Sequence, residues 1–145
     1  MTITKLVQLA VVTVVFVSGL ALGGLIQGRV DAQSRGRVYE LRTYTAPEGK
    51  LTDLQARFRN HTVKLFEKHG MTNVGYFAPQ DAPLAQNTLI YVLSHKDRET
   101  AKQSWAEFQK DPEWVKARTA SEVNGRLTTQ VVSVFMDPLD FSKMK

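Results

Sequence analysis

The sequence predicts an α+β domain in the element order βαββαβ, an antiparallel sheet with two helices on one face. Three observations carry this expectation. Val38–Thr45 is rich in β-branched and aromatic residues and ends in the breaker cluster Ala46-Pro47-Glu48-Gly49-Lys50, which reads as a strand and its turn. Leu51, Leu54, Phe58, His61 and Leu65 then recur every three to four positions, the period of an amphipathic helix. A second stretch with apolar residues at helical spacing separates strand-like Thr88–Ser94 from strand-like Leu127–Met136.

Taken in order, the first strand, Val38–Thr45, places Glu40, Arg42 and Tyr44 on one side and Leu41 on the other. The first helix is expected from about Lys50 to His69, where Gly70 suits a left-handed residue just past its end. A short strand follows at about Asn73–Ala78, and Pro79-Gln80-Asp81-Ala82-Pro83 is a turn or loop. Asp97 is placed to cap the second helix, whose stripe is Ala101, Trp105 and Phe108. Asp111-Pro112 interrupts it, with Asp as cap and Pro opening a new helix through Trp114 to about Val123. Asn124-Gly125 ends that piece. The last strand, Leu127–Met136, carries Val131, Val132, Val134 and Phe135, apolar residues for both faces. The succession is the split βαβ, or ferredoxin-like, plan.

Ahead of this domain, no charged residue occurs from Leu6 to Gly28. As a helix, Leu6–Ile26 would be roughly 30 Å long, about a bilayer core. Two readings follow for residues 1–32. One is a signal peptide, with Lys5 as its basic end and Val30-Asp31-Ala32 as a small-x-small cleavage site. The other is an uncleaved hydrophobic helix spanning the membrane, with Gly19, Gly23 and Gly24 offering a close-packing face. Residues 33–37 are a polar linker, 38–142 the domain and 143–145 a tail. The chain of 145 residues contains no cysteine, which excludes disulfides and Cys metal sites. Its net charge of +5 is spread without a basic cluster, so nucleic acid is not an expected partner. His61, His69 and His95 lack metal-motif spacing, and no Gly-rich phosphate loop or nucleophile motif occurs; neither metal nor cofactor is expected.

Several motifs together resemble the NIPSNAP family. Tyr39-Glu40-Leu41-Arg42-Thr43-Tyr44 with Gly49-Lys50, then His69-Gly70 and Val74-Gly75-Tyr76-Phe77, is similar to its N-terminal half. Asn87–Leu93, His95-Lys96-Asp97-Arg98, Ser104-Trp105, Asp111-Pro112-Glu113-Trp114 and Pro138-Leu139-Asp140-Phe141-Ser142 extend the resemblance across nearly all of Val38–Ser142. Tyr76-Phe77 depart from it, standing where many members carry Trp. The resemblance implies a dimeric α/β barrel, in which sheets from two chains pack face to face. It implies little about chemistry, since relatives on this fold include cofactor-free monooxygenases, haem-degrading enzymes and isomerases.

His61, between Phe58 and Leu65 on the apolar stripe, is expected to face the sheet, either as a base or ligand near Tyr39 or Tyr91, or as a satisfied core histidine. His69 suits capping of a helix end, and His95 is expected in a solvated turn. Glu40 and Arg42 can pair with each other or across a dimer, with Tyr44 beside them, and that face is expected to be the inner face of the dimer. Trp105 and Trp114 read as core or interface anchors. The chain is therefore expected to be an exported or membrane-anchored homodimer that binds a small ligand or protein partner. The alternatives are an accessory subunit tethered to a membrane complex through Leu6–Ile26, and a cofactor-independent oxygenase or isomerase working through His61, Tyr39 and Tyr91.

Overall fold

The first strand is the one on which the sheet is built. In a computed structural model, which describes residues 36–144, β1 (Val38–Thr45) lies between β3 (Thr88–His95) and β4 (Gln130–Met136), and β2 (Thr72–Phe77) flanks β3. All neighbouring strands are antiparallel. The order β2-β3-β1-β4 is the ferredoxin-like one, because each crossover skips one intervening strand. The first crossover helix has three parts: α1 (Leu51–Arg57), a π-helical stretch (Phe58–Thr62) and α2 (Val63–Lys68). The second crossover holds α3 (Arg98–Lys110) and α4 (Pro112–Ser121). The expected signal peptide or anchor at 1–32 lies outside the described residues.

Local chemistry fixes the ends of these helices. Asp97 accepts a hydrogen bond from the Thr100 amide at 2.7 Å, and Asp111 accepts one from the Glu113 amide at 2.7 Å with Pro112 at the first helical position. Gly70 takes φ +74°, and α2 closes through Gly70 N–H to Glu67 O at 3.0 Å and Met71 N–H to Phe66 O at 2.9 Å. This pair of bonds is a Schellman closure, completed by the burial of both Phe66 and Met71. Asp111 also ties the two crossovers together: it accepts from Lys68 Nζ at 2.8 Å and from His69 Nε2–H at 2.7 Å. His69 sits at the helix end, but its side chain bonds Asp111 of the second crossover instead of serving as the expected cap.

The core fills the space between the helices and one sheet face, with Leu54, Phe66, Tyr91, Leu93, Phe108 and Leu127 all but sealed from solvent. The register decides which face that is. Glu40, Arg42 and Tyr44 stand opposite Leu93, Tyr91 and Leu89 of β3, so all six point under the helices. The expectation that the Glu40/Arg42 face would be the uncovered one is therefore reversed. The open face carries Leu41 and Thr43 of β1, Ile90 and Val92 of β3, and the exposed Val132 and Val134 of β4.

Several boundaries and two side-chain positions also differ from expectation. β4 begins at Gln130 rather than Leu127, which instead buries its side chain ahead of the strand, and α4 stops at Ser121, not Val123. β2 begins a residue earlier, at Thr72, and slips its register between Asn73 and Gly75. His61 is exposed rather than facing the sheet. The residues that go inward are Leu54, Phe58, Thr62 and Phe66, an i+4 series. In an ideal α-helix three such steps would drift by roughly 120° around the axis. The wider π turn takes back part of that drift, keeps Thr62 and Phe66 under the helix, and leaves His61 outside. His95 is not in a solvated turn but is the last residue of β3 and is fully buried.

Gly70→Ala is expected to cost about 1–2 kcal/mol, the penalty of a left-handed backbone for a residue with a Cβ. Urea unfolding should show a lower midpoint with an unchanged slope.

Candidate functional site

Two features lie between the helices and the covered sheet face. The first is a buried carboxylate. Glu40 exposes 1% of its surface, and its two oxygens take four hydrogen bonds. Oε1 accepts from Arg42 at 2.7 Å and from the Ser133 hydroxyl at 2.6 Å. Oε2 accepts from the Trp105 indole at 2.7 Å and from His95 Nε2–H at 3.0 Å. Each donor comes from a different element: β1 itself, β4, α3 and β3. Burial alone would raise the carboxyl pKa, but the bonds from His95, Ser133 and Trp105, with the charge of Arg42, outweigh it and hold the group at about 2. Arg42 also lies over the Trp105 ring at 4.1 Å, so its charge is held by a carboxylate and an aromatic face together. Beside it, the buried Tyr91 hydroxyl has no hydrogen-bond partner, and burial pushes its pKa well up. As an acid-base centre this arrangement is poor, because every Glu40 oxygen is already engaged.

The second feature is a cleft of about 260 Å³ between the π stretch, α4 and the β1–β4 side of the sheet. Its aromatic walls include Tyr44, Phe58 and Trp114, and Val131 of β4 lies beneath it. Tyr44 meets Phe58 edge-on at 5.7 Å, and Trp114 packs on Phe108 at 4.5 Å, so the rings are braced by the core. Its polar rim includes Arg57, Arg118, Arg126 and Glu122. Arg57 is buried and donates to Glu122 at 2.8 Å, while Arg118 reaches the other Glu122 oxygen at 3.4 Å. Two buried N–H groups at this cleft, Arg57 Nε and Trp114 Nε1, have no acceptor.

The expected residues divide among separate places. Glu40 and Arg42 do pair, at 2.7 Å, with Trp105 joining them. Tyr44 and Trp114 line the cleft. His61, Tyr39 and Tyr91 do not converge: His61 is on the surface, Tyr91 is sealed under the helices, and Tyr39 is on the opposite sheet face beside Met136. Their joint role as a catalytic set is corrected by this dispersal. The helix phase removes His61, and strand alternation separates the two tyrosines. His95, Ser133, Arg57 and Glu122 were not anticipated. His95 had a readable signal, since Leu89, Tyr91 and Leu93 alternate toward it on one strand face. Arg57 had one too, as a cation on the stripe between Leu54 and Phe58.

Comparison with known proteins bears on the fold. The NIPSNAP family model matches residues 39–143. A NIPSNAP family protein of unknown function from Agrobacterium tumefaciens is 20% identical, with a TM-score of 0.66 over 77% of this chain and 96% of that one. An uncharacterised NIPSNAP-like domain protein from Burkholderia xenovorans is 18% identical, with a TM-score of 0.64 over 74% of this chain and 90% of that one. A monooxygenase from Streptomyces coelicolor, solved with the ligand nanaomycin D, is 15% identical, with a TM-score of 0.52 over 72% of this chain and 89% of that one. No curated protein matches the sequence.

Glu40 gives a pH signature. A carboxyl held at about 2 against an ordinary 4.5 stabilises the fold above about pH 4.5, and that contribution is lost as pH falls toward 2. Glu40→Gln should destabilise the protein at pH 7. Its deficit against the parent should shrink by up to roughly 3 kcal/mol between pH 5 and 2, read by urea unfolding across that range.

Proposed function

Because the chain belongs to the NIPSNAP family, we propose that it is a homodimeric module that holds a small ligand in the cleft between the π stretch, α4 and the sheet. The observation that carries this reading is the cleft itself: about 260 Å³, walled by braced aromatic rings and edged by arginines. A concave site in which polar groups converge beside an apolar wall is where small molecules bind, and here the polar groups make up the larger part of the lining. The Glu40 network supports the reading as scaffold, since it fixes β1 and α3 beside the cleft without exposing a reactive group. The likeness to a monooxygenase speaks only to the fold, and no dispersed tyrosine or histidine here supports an oxygenase assignment.

The homodimer is supported by the open sheet face, where Leu41, Val92, Val132 and Val134 form an apolar surface with no helix over it. Two copies related by a two-fold axis would bury it against itself. Export or membrane tethering is proposed on the uncharged Leu6–Ile26 stretch alone.

Two measurements on the full-length protein check these statements. Sedimentation should give a dimer for the parent, and Val132→Lys with Val134→Lys should shift it to monomer while far-UV circular dichroism is kept; a parent that sediments as a monomer sinks the dimer. In a thermal-shift screen of neutral and charged naphthalene derivatives, at least one should raise the melting temperature, and Val131→Trp, which fills the cleft, should abolish that rise.

A further inference from the structure

Resting on the ligand-binding reading above, we infer that the cleft selects an organic anion: a flat apolar body against Tyr44 and Val131 with a carboxylate-like group among Arg57, Arg118, Arg126 and the Trp114 indole. The selection follows from what the cleft lacks. Its lining includes three guanidinium groups but one carboxylate, Glu122, and both oxygens of that carboxylate are taken by Arg57 and Arg118. Arg126 makes no ion pair among the described residues, so one positive charge at the rim is unmatched. The unpartnered buried groups at the walls, Arg57 Nε and Trp114 Nε1, are both donors. A buried donor without an acceptor is costly, and a guanidinium has no acceptor to offer in return, so a ligand completing this site must bring acceptor atoms. An acceptor that is also anionic answers the unmatched charge as well.

The apolar half of the ligand is set by the opposite wall. The half-buried Tyr44 and the exposed Val131 offer the open apolar surface, and contacts to Phe58 and Tyr91 hold the Tyr44 ring in place. A planar body stacks on such surfaces with little loss of side-chain freedom. A purely inorganic anion would leave Tyr44 and Val131 uncovered, and a neutral aromatic would leave Arg126 and the two N–H groups unmatched. A cation meets the unpaired positive charge of Arg126.

The test uses three probes of one shape, 1-naphthoate, 1-naphthalenemethanol and 1-naphthylmethylamine, titrated into the full-length protein and followed by tryptophan fluorescence and calorimetry. Naphthoate should bind at least tenfold more tightly than the alcohol, and the amine should not bind. Arg126→Gln, an exposed change, should erase most of that advantage while leaving affinity for the alcohol unchanged. Trp114→Phe, which keeps a ring and loses the donor, should weaken naphthoate several-fold and the alcohol little. The advantage should also shrink as potassium chloride rises. Equal affinity for acid and alcohol overturns anion selection and leaves the ligand-binding reading standing. Absence of binding by all three probes, with Val131→Trp indistinguishable from the parent, removes both.

Discussion

A buried carboxylate sets the terms for the rest of this structure. Glu40 sits on the central strand, and the four hydrogen bonds it accepts come from β1, β3, β4 and α3. An ionised group removed from water is costly unless its oxygens are satisfied, so those elements can approach only in the arrangement that delivers all four donors. The constraint acts on register as much as on energy. A slip of β1 by one residue would carry Glu40, with Arg42, to the open face and leave His95, Trp105 and Ser133 without their acceptor. An apolar residue at this position would pack, but it would not distinguish one register from another in this way.

The element order was legible in the sequence because its signals are local. Breaker clusters, the caps Asp97 and Asp111, and Gly70 after the first helix depend on neighbours a few residues away, and each lies where the local chemistry calls for it. The orientation of the sheet was not legible. Glu40 and Arg42 look like solvent-facing residues until their partners are known, and those partners lie 55, 65 and 93 residues further along the chain. Alternation reports that two faces differ without saying which one the helices cover. The position of His61 failed for a different reason: a wide turn within a helix changes the phase of everything after it, and no residue type in Phe58–Thr62 announces that turn.

The cleft was half legible. Trp114 is readable as an aromatic anchor and Tyr44 as a neighbour of Glu40 and Arg42 on one strand face, whereas nothing local marks Arg57 and Glu122 as partners across the two crossovers. The end of α1 and the start of the π stretch supply Arg57 and Phe58 to the cleft, and α4 supplies Trp114 and Arg118, with Arg57 lying over the Trp114 ring at 5.2 Å. The site therefore exists only once both halves of the βαββαβ plan have closed on the same sheet.

The central strand is a single layer of backbone with a different environment on each side. Tyr44 forms part of the cleft wall, while its neighbours Thr43 and Thr45 point to the bare face of the sheet. A molecule lodged against Tyr44 and a second chain laid on the far side would be one peptide plane apart. Any preference of one for a particular twist of that strand would be felt by the other, and linkage requires the effect to be equal in both directions. The thinness of a sheet thus turns two sites on opposite surfaces into neighbours.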